Sequence, residues 1–163
     1  MAITDHRPTA HDHATTGPTG GTRTTDRRIG LIGTLVMIAG LVLTLSGAAT
    51  WAMVQTSLSD EGITVAEDAA RFGGDAVDGP LTAYYEADII EKHALEASGG
   101  KTYAELNLED PVRTTVMNGS FLRASLFTSV VSFGIAAMAM GLGLVFVLIG
   151  FALRSIAREP RAV

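Results

Sequence analysis

The sequence predicts an all-α membrane protein: a two-helix transmembrane hairpin with a small helical extracytoplasmic cap and a disordered N-terminal tail. Three observations carry that prediction. Residues 124–153 contain no Asp, Glu, Lys, Arg or His, and neither do residues 29–54. Between the runs, residues 54–123 hold five basic against thirteen acidic side chains, a net −8, whereas residues 1–28 are +1 and residues 154–163 are +2. Hydrophobic residues make up 47% of the chain and charged ones 18%, a balance usual for small membrane proteins rather than soluble ones.

Residues 1–28 are rich in Thr, Gly, Pro, His and Asp, with Ile3 the one branched aliphatic before Ile29. Such a segment buries too little apolar surface to offset its ordering entropy, so a disordered cytoplasmic tail is expected. His6, His11 and His13, with Asp5 and Asp12, suggest a metal site, but a dedicated site needs a scaffold and none is expected there.

A helix rises about 1.5 Å per residue, so about 20 residues cross a hydrocarbon core of roughly 30 Å. Residues 29–54 are long enough for a first transmembrane helix, preceded by Arg27 and Arg28 and carrying Trp51 near the far end, where an indole favours the headgroup level. A cleaved signal peptide is the main competitor, but its apolar core would be only about 7 to 15 residues long. Residues 124–153 form the second transmembrane helix, with Ser125, Thr128, Ser129 and Ser132 at its outer end and Arg154 closing it. Basic residues beside a span stay on the cytoplasmic side. Arg23, Arg27, Arg28, Arg154, Arg158 and Arg161 therefore place both termini in the cytoplasm and residues 55–123 outside the plasma membrane.

Within the spans, Gly33, Gly40 and Gly47 recur every seven residues and share a helix face. The second span carries two such stripes on nearly opposite sides, Gly134 with Gly141, and Ser129, Ala136, Gly143 and Gly150. Small residues let helix backbones approach closely in lipid. One stripe is expected to take the first span and the other to meet a second copy or a different membrane protein. No ionisable residue lies within either span, which argues against a pump or transporter.

The outer segment, residues 55–123, reads as several short helices. Thr64 to Glu67 and Thr102 to Glu105 have capping-box spacing, the first introducing a helix to Phe72 before Gly73-Gly74. Gly79-Pro80 starts the most regular piece, in which Ala83, Ala87, Ile90, Ala94 and Ala97 form a narrow face and Asp88, Lys92 and Glu96 can pair, ending at Ser98-Gly99-Gly100. The last helix starts at Pro111, after Asp110, or at Ser120, after Asn118-Gly119.

Chemistry in that segment rests on few residues. Tyr84, Tyr85, His93 and Tyr103 are the candidate ligand-binding residues. Asp75 to Gly79 hints at a calcium loop but lacks the alternating oxygen ligands and the closing Glu, so a turn is expected. A lone His93 is a poor metal ligand even with Glu86 or Glu96 near, and no nucleophile, zinc or phosphate-loop motif occurs, so no catalytic residue, metal or cofactor is expected. Without cysteine, disulfides and thiolate chemistry are excluded. The acidic charge argues against nucleic acid as a partner. Two Lys against ten Arg suggest a high-GC bacterial source.

Over residues 29–153 the chain resembles a family of small two-span actinobacterial membrane proteins. The resemblance is carried by residues 75–80 (Asp-Ala-Val-Asp-Gly-Pro), 87–97 with 100–105, and 115–118 with 120–127. Members circulate under the label aromatic ring-opening dioxygenase LigA, which implies iron and a soluble enzyme. One histidine in the outer segment and two spans support neither, and the label is read as a misnomer. The expectation is an integral plasma-membrane protein, a non-enzymatic accessory or scaffold subunit with the bilayer, itself or another membrane protein as partners. The alternative is a membrane-anchored enzyme or ligand-binding protein with a pocket in the outer segment.

Overall fold

The computed structural model describes residues 21–158. The described chain forms three helices: α1 (Gly21–Asp60), α2 (Pro80–Ala97) and α3 (Arg113–Ile156). Two of them, α1 and α3, are long and apolar enough to cross a membrane, with mean hydropathies of 2.3 and 2.5 over their most apolar windows. They pack side by side and antiparallel, so that Gly33 meets Gly150, Gly40 meets Gly143 and Gly47 meets Ala136. Beyond Gly47 and Ala136, Trp51 of α1 and Phe133 of α3 stack edge to face with centroids 4.7 Å apart.

Both long helices outrun the uncharged segments. Residues 21–28 are helical, not disordered as expected, because no proline separates them from the apolar run that begins at Ile29 and each residue added to an existing helix gains a hydrogen bond. The rest of the expected disordered tail, with His6, His11 and His13, lies outside the described residues. At its other end α1 continues to Asp60, and Leu58 is buried there. No break occurs at Asn118-Gly119; α3 runs unbroken from Arg113, after Asp110 Oδ1 accepts the Val112 N–H at 3.0 Å.

Between the two long helices the chain forms a single separate helix, not several. The expected helix from Thr64 to Phe72 is absent: Thr64 pairs with Ala76 in an isolated antiparallel bridge. Its backbone bonds are Val65 N–H to Asp75 O, Gly74 N–H to Val65 O and Val77 N–H to Ile63 O, each 2.9 Å. The capping-box signal lost to burial, since the extended chain puts Val65 and Val77, both 1% exposed, into one core. The reversal uses left-handed backbone at Phe72 (φ 63°) and Gly74 (φ 81°). Thr102 to Glu105 likewise stops at one turn, in which the Thr102 N–H and hydroxyl both donate to Glu105 Oε2 at 2.8 Å.

In α2, Ala83 and Ala87 are fully buried, Ala94 is half-buried and Ala97 is exposed, so the narrow face works only in its first half. The helix opens with the Gly79 N–H donating to Thr82 Oγ1 at 3.1 Å. It ends where Gly99 and Gly100 adopt positive φ and the Gly100 N–H reaches Leu95 O at 2.7 Å. The main core joins all three helices at the α2 end of the long pair: Leu58 from α1, Val65 and Val77 from the loop, Ala83 and Ala87 from α2, Leu126 and Phe133 from α3.

Candidate functional site

The glycine seam between α1 and α3 is built on backbone contact. A Cβ placed on Gly40 would stand 2.5 Å from the Gly143 carbonyl oxygen, and one on Gly143 would stand 2.6 Å from the Gly40 carbonyl oxygen. At Gly33 and Gly150 the reciprocal distances are 2.8 and 2.5 Å, and at Gly47 a Cβ would lie 2.8 Å from Ala136 O. Real side chains do not approach backbone so closely, and only glycine permits this spacing. Thr44 lies in the seam as well, its hydroxyl donating to Gly40 O at 2.9 Å within its own helix. The other stripe differs, because a Cβ on Gly134 or Gly141 would meet nothing within 4 Å.

The four candidate ligand-binding residues do not converge. Tyr84 and Tyr85 belong to a ring cluster, 5.5 Å from each other, with Tyr85 5.4 Å from Phe72 and Tyr84 5.9 Å from Phe127. His93 points instead to the loop, where its Nε2 donates to Asp68 Oδ2 at 2.8 Å. That hydrogen bond, helped by the charges of His93 and Lys92, holds the Asp68 carboxyl below its usual range. Lys92 bridges Asp68 at 3.8 Å and Glu96 at 3.9 Å. Tyr103 stands apart, with the Arg113 guanidinium 4.0 Å over its ring.

From the sequence alone Glu86 is weighed only as a metal ligand beside His93, and Glu91 and Arg123 are given no partner. Glu86 is buried at 8% exposure, and its Oε2 accepts the Ala66 N–H at 2.9 Å, tying the bridged loop to α2. Its signal was present, because position 86 lies on the stripe of Ala83, Ala87 and Ile90. Glu91 of α2 and Arg123 of α3 form a pair 2.7 Å long, and no local pattern links two residues so far apart. This pair lines a half-open cleft of about 300 Å³ between α2, α3 and the turn at Tyr103. His93 borders a different cleft, with Ile90 and Leu122. Among the described residues, no group of three or more His, Asp or Glu is placed to hold a metal ion.

Comparison with family models, curated proteins and solved structures finds no match, so the functional reading rests on the residues themselves.

Proposed function

We propose that the protein is an integral protein of the bacterial plasma membrane, of the two-span actinobacterial kind it resembles, and serves as a non-enzymatic accessory or scaffold subunit. In this reading α1 and α3 are a transmembrane hairpin with both termini in the cytoplasm, and the cap around α2 faces outward. One observation supports it above the rest: a continuous apolar exterior on a pair of helices that bury little. Leu35 and Leu45 are 66% and 61% exposed on α1, and Met138 and Leu148 are 67% and 60% exposed on α3. Only 11% and 17% of the two apolar windows is buried, far too little for core helices of a soluble domain. Arg27, Arg28 and Arg154 bound this band at one end, and Trp51 lies at the other.

Lipid covers such a surface, and the open Gly134 and Gly141 face offers a second helix a close approach. A partner docked there meets backbone directly, as α1 does on the opposite side. The lack of native cysteine makes the topology simple to test. Leu108→Cys, at an 86% exposed position of the cap, is expected to react with a membrane-impermeant maleimide on intact cells. Ala157→Cys is expected to react only after permeabilisation. The reverse pattern, or recovery of the chain in the soluble fraction, overturns the proposal. For the scaffold role, Gly134→Leu with Gly141→Leu is expected to abolish co-purification of partner chains in mild detergent, and unchanged co-purification overturns it.

A further inference from the structure

At the end of the long pair away from α2, the two helices form an open cleft of about 330 Å³. Arg27, Asp26 and Leu31 line it from α1, and Arg154 of α3 lines it together with Ala157 and Arg158 just beyond that helix. The seam brings these residues together from both sides, since a Cβ on Gly30 would lie only 3.6 Å from Ala157 Cβ.

Three guanidinium groups share this cleft with one carboxylate, a surplus of two positive charges. The carbonyl end of α3 answers only about half a charge. No carboxylate among the described residues forms an ion pair with any of the three arginines. In the cap the pattern is different, because Arg113 donates to Tyr103 O and Leu106 O, and Arg123 pairs with Glu91. Like charges gathered in one place repel, and an anion that enters between them relieves the repulsion. Guanidinium, a planar fork of donors, matches the oxygens of a phosphate.

The apolar side of the cleft narrows the class of anion. Leu31 lines the cleft and is 57% exposed, and one turn further along α1 Leu35 is 66% exposed, so the charged end runs directly into the apolar exterior. A free ion would use only the arginines, whereas an amphiphile uses both surfaces at once. Basic pockets between the cytoplasmic ends of transmembrane helices suit lipid headgroups for this reason. We propose that the cleft binds the phosphate of an anionic glycerophospholipid, with the acyl chains lying along the apolar surface that begins at Leu31. This binding rests on the membrane reading of α1 and α3 and names the lipid that their surface selects.

The full chain is reconstituted into nanodiscs of equal phosphatidylglycerol and phosphatidylcholine, and the lipid that stays on it after transfer to detergent is counted by native mass spectrometry. Phosphatidylglycerol is expected to outnumber phosphatidylcholine at least tenfold. Arg27→Gln and Arg154→Gln are each expected to lower that ratio roughly fivefold, the usual share of one basic side chain beside an anionic headgroup. Arg28→Gln removes the same charge from the next position, which does not line the cleft, and is expected to change the ratio less than twofold. Raising ammonium acetate from about 50 to about 500 mM is expected to lower the parent's ratio at least fivefold, a readout that needs no variant to fold. An excess of inorganic phosphate is expected to leave the lipid in place, because it has no acyl chain to contribute. Equal retention of the two lipids, equal loss from Arg27→Gln and Arg28→Gln, a ratio insensitive to salt, or displacement by inorganic phosphate overturns the proposal and leaves the membrane reading standing. Recovery of the chain in the soluble fraction overturns both.

Discussion

The glycine seam and the outer cap belong to one molecule, yet they are held together by opposite means. Along the seam α1 and α3 touch through backbone, and Gly33, Gly40 and Gly47 descend against Gly150, Gly143 and Ala136 in steps of seven. The buried positions there are nearly all glycine or alanine. The cap is held by large side chains, Val65, Val77, Leu126 and Phe133 among them, and by directed polar contacts such as Ala66 to Glu86. On the proposed membrane reading, the difference follows from solvent. Where lipid surrounds both partners, apolar area gives no advantage to association and close packing must supply it. Where water surrounds them, burial of area does the work. The seam should therefore fail when volume is added, and the cap when volume or a hydrogen bond is removed.

The largest effect is expected at the seam. A cysteine pair at Gly30 and Ala157 suits a disulfide, because a Cβ on Gly30 would lie 3.6 Å from Ala157 Cβ. Adding Gly143→Leu to that pair forces the backbones apart and costs about 3 kcal/mol, the upper part of the usual overpacking range. Cross-linking is expected to be near complete in the parent and lost in the variant. Gly134→Leu and Gly141→Leu, whose Cβ positions meet open space, are expected to leave the cross-link intact. If all three variants cross-link equally, the seam does not hold the helices.

A middle-sized effect is expected at Glu86. Glu86→Leu removes the acceptor of the Ala66 N–H and leaves that donor bare, at a cost of about 1–3 kcal/mol. Glu86→Gln keeps an acceptor oxygen and should lose less. The loop carries Arg71, an exposed trypsin site, so cleavage after Arg71 reports its release directly. Faster cleavage in Glu86→Leu than in Glu86→Gln, with the seam cross-link unchanged, would separate the two regions; equal rates would remove Glu86 from the account.

The same contrast explains which parts were legible in the sequence. The two long apolar helices announce themselves because residues 29–54 and 124–153 carry no charge, which is a strong local signal. Seven-residue glycine spacing is local too, but two stripes on α3 had equal claim to α1, and only the register of the pair decides between them. The cap misleads more. Thr64 and Thr102 both carry helix-start spacing, and both give way to contacts distant in sequence, Val65 with Val77 in one case and Arg113 with Tyr103 and Leu106 in the other. Tyr84, Tyr85, His93 and Tyr103 look like a set because they are rare residues in one segment, whereas α2 points Tyr84 and Tyr85 at a ring cluster and His93 at Asp68.

The smallest effect is expected from acid, and its sign distinguishes the regions. Asp68 is held below its ordinary 3.8 chiefly by the His93 hydrogen bond, and Glu105 below its ordinary 4.5 chiefly by the Thr102 N–H and then the Thr102 hydroxyl. A carboxyl whose folded pKa is depressed binds fewer protons folded than unfolded. Its contribution is thus complete above the unfolded value and fades as pH falls below it and through the folded one. Both groups are solvent-exposed and belong to the cap, while residues 29–54 and 124–153 contain nothing that titrates. Lowering pH from about 6 to about 3 is therefore expected to reduce the protection factors, exchange rates being taken relative to the intrinsic rate at each pH, at Val65, Gly74 and Glu105, with those of α1 and α3 unchanged along the seam. Asp68→Asn should flatten this response at Val65 and Gly74 alone, because Glu105 draws its partners from its own turn. Acid sensitivity spread evenly along the long helices would instead mean that cap and seam open as one unit.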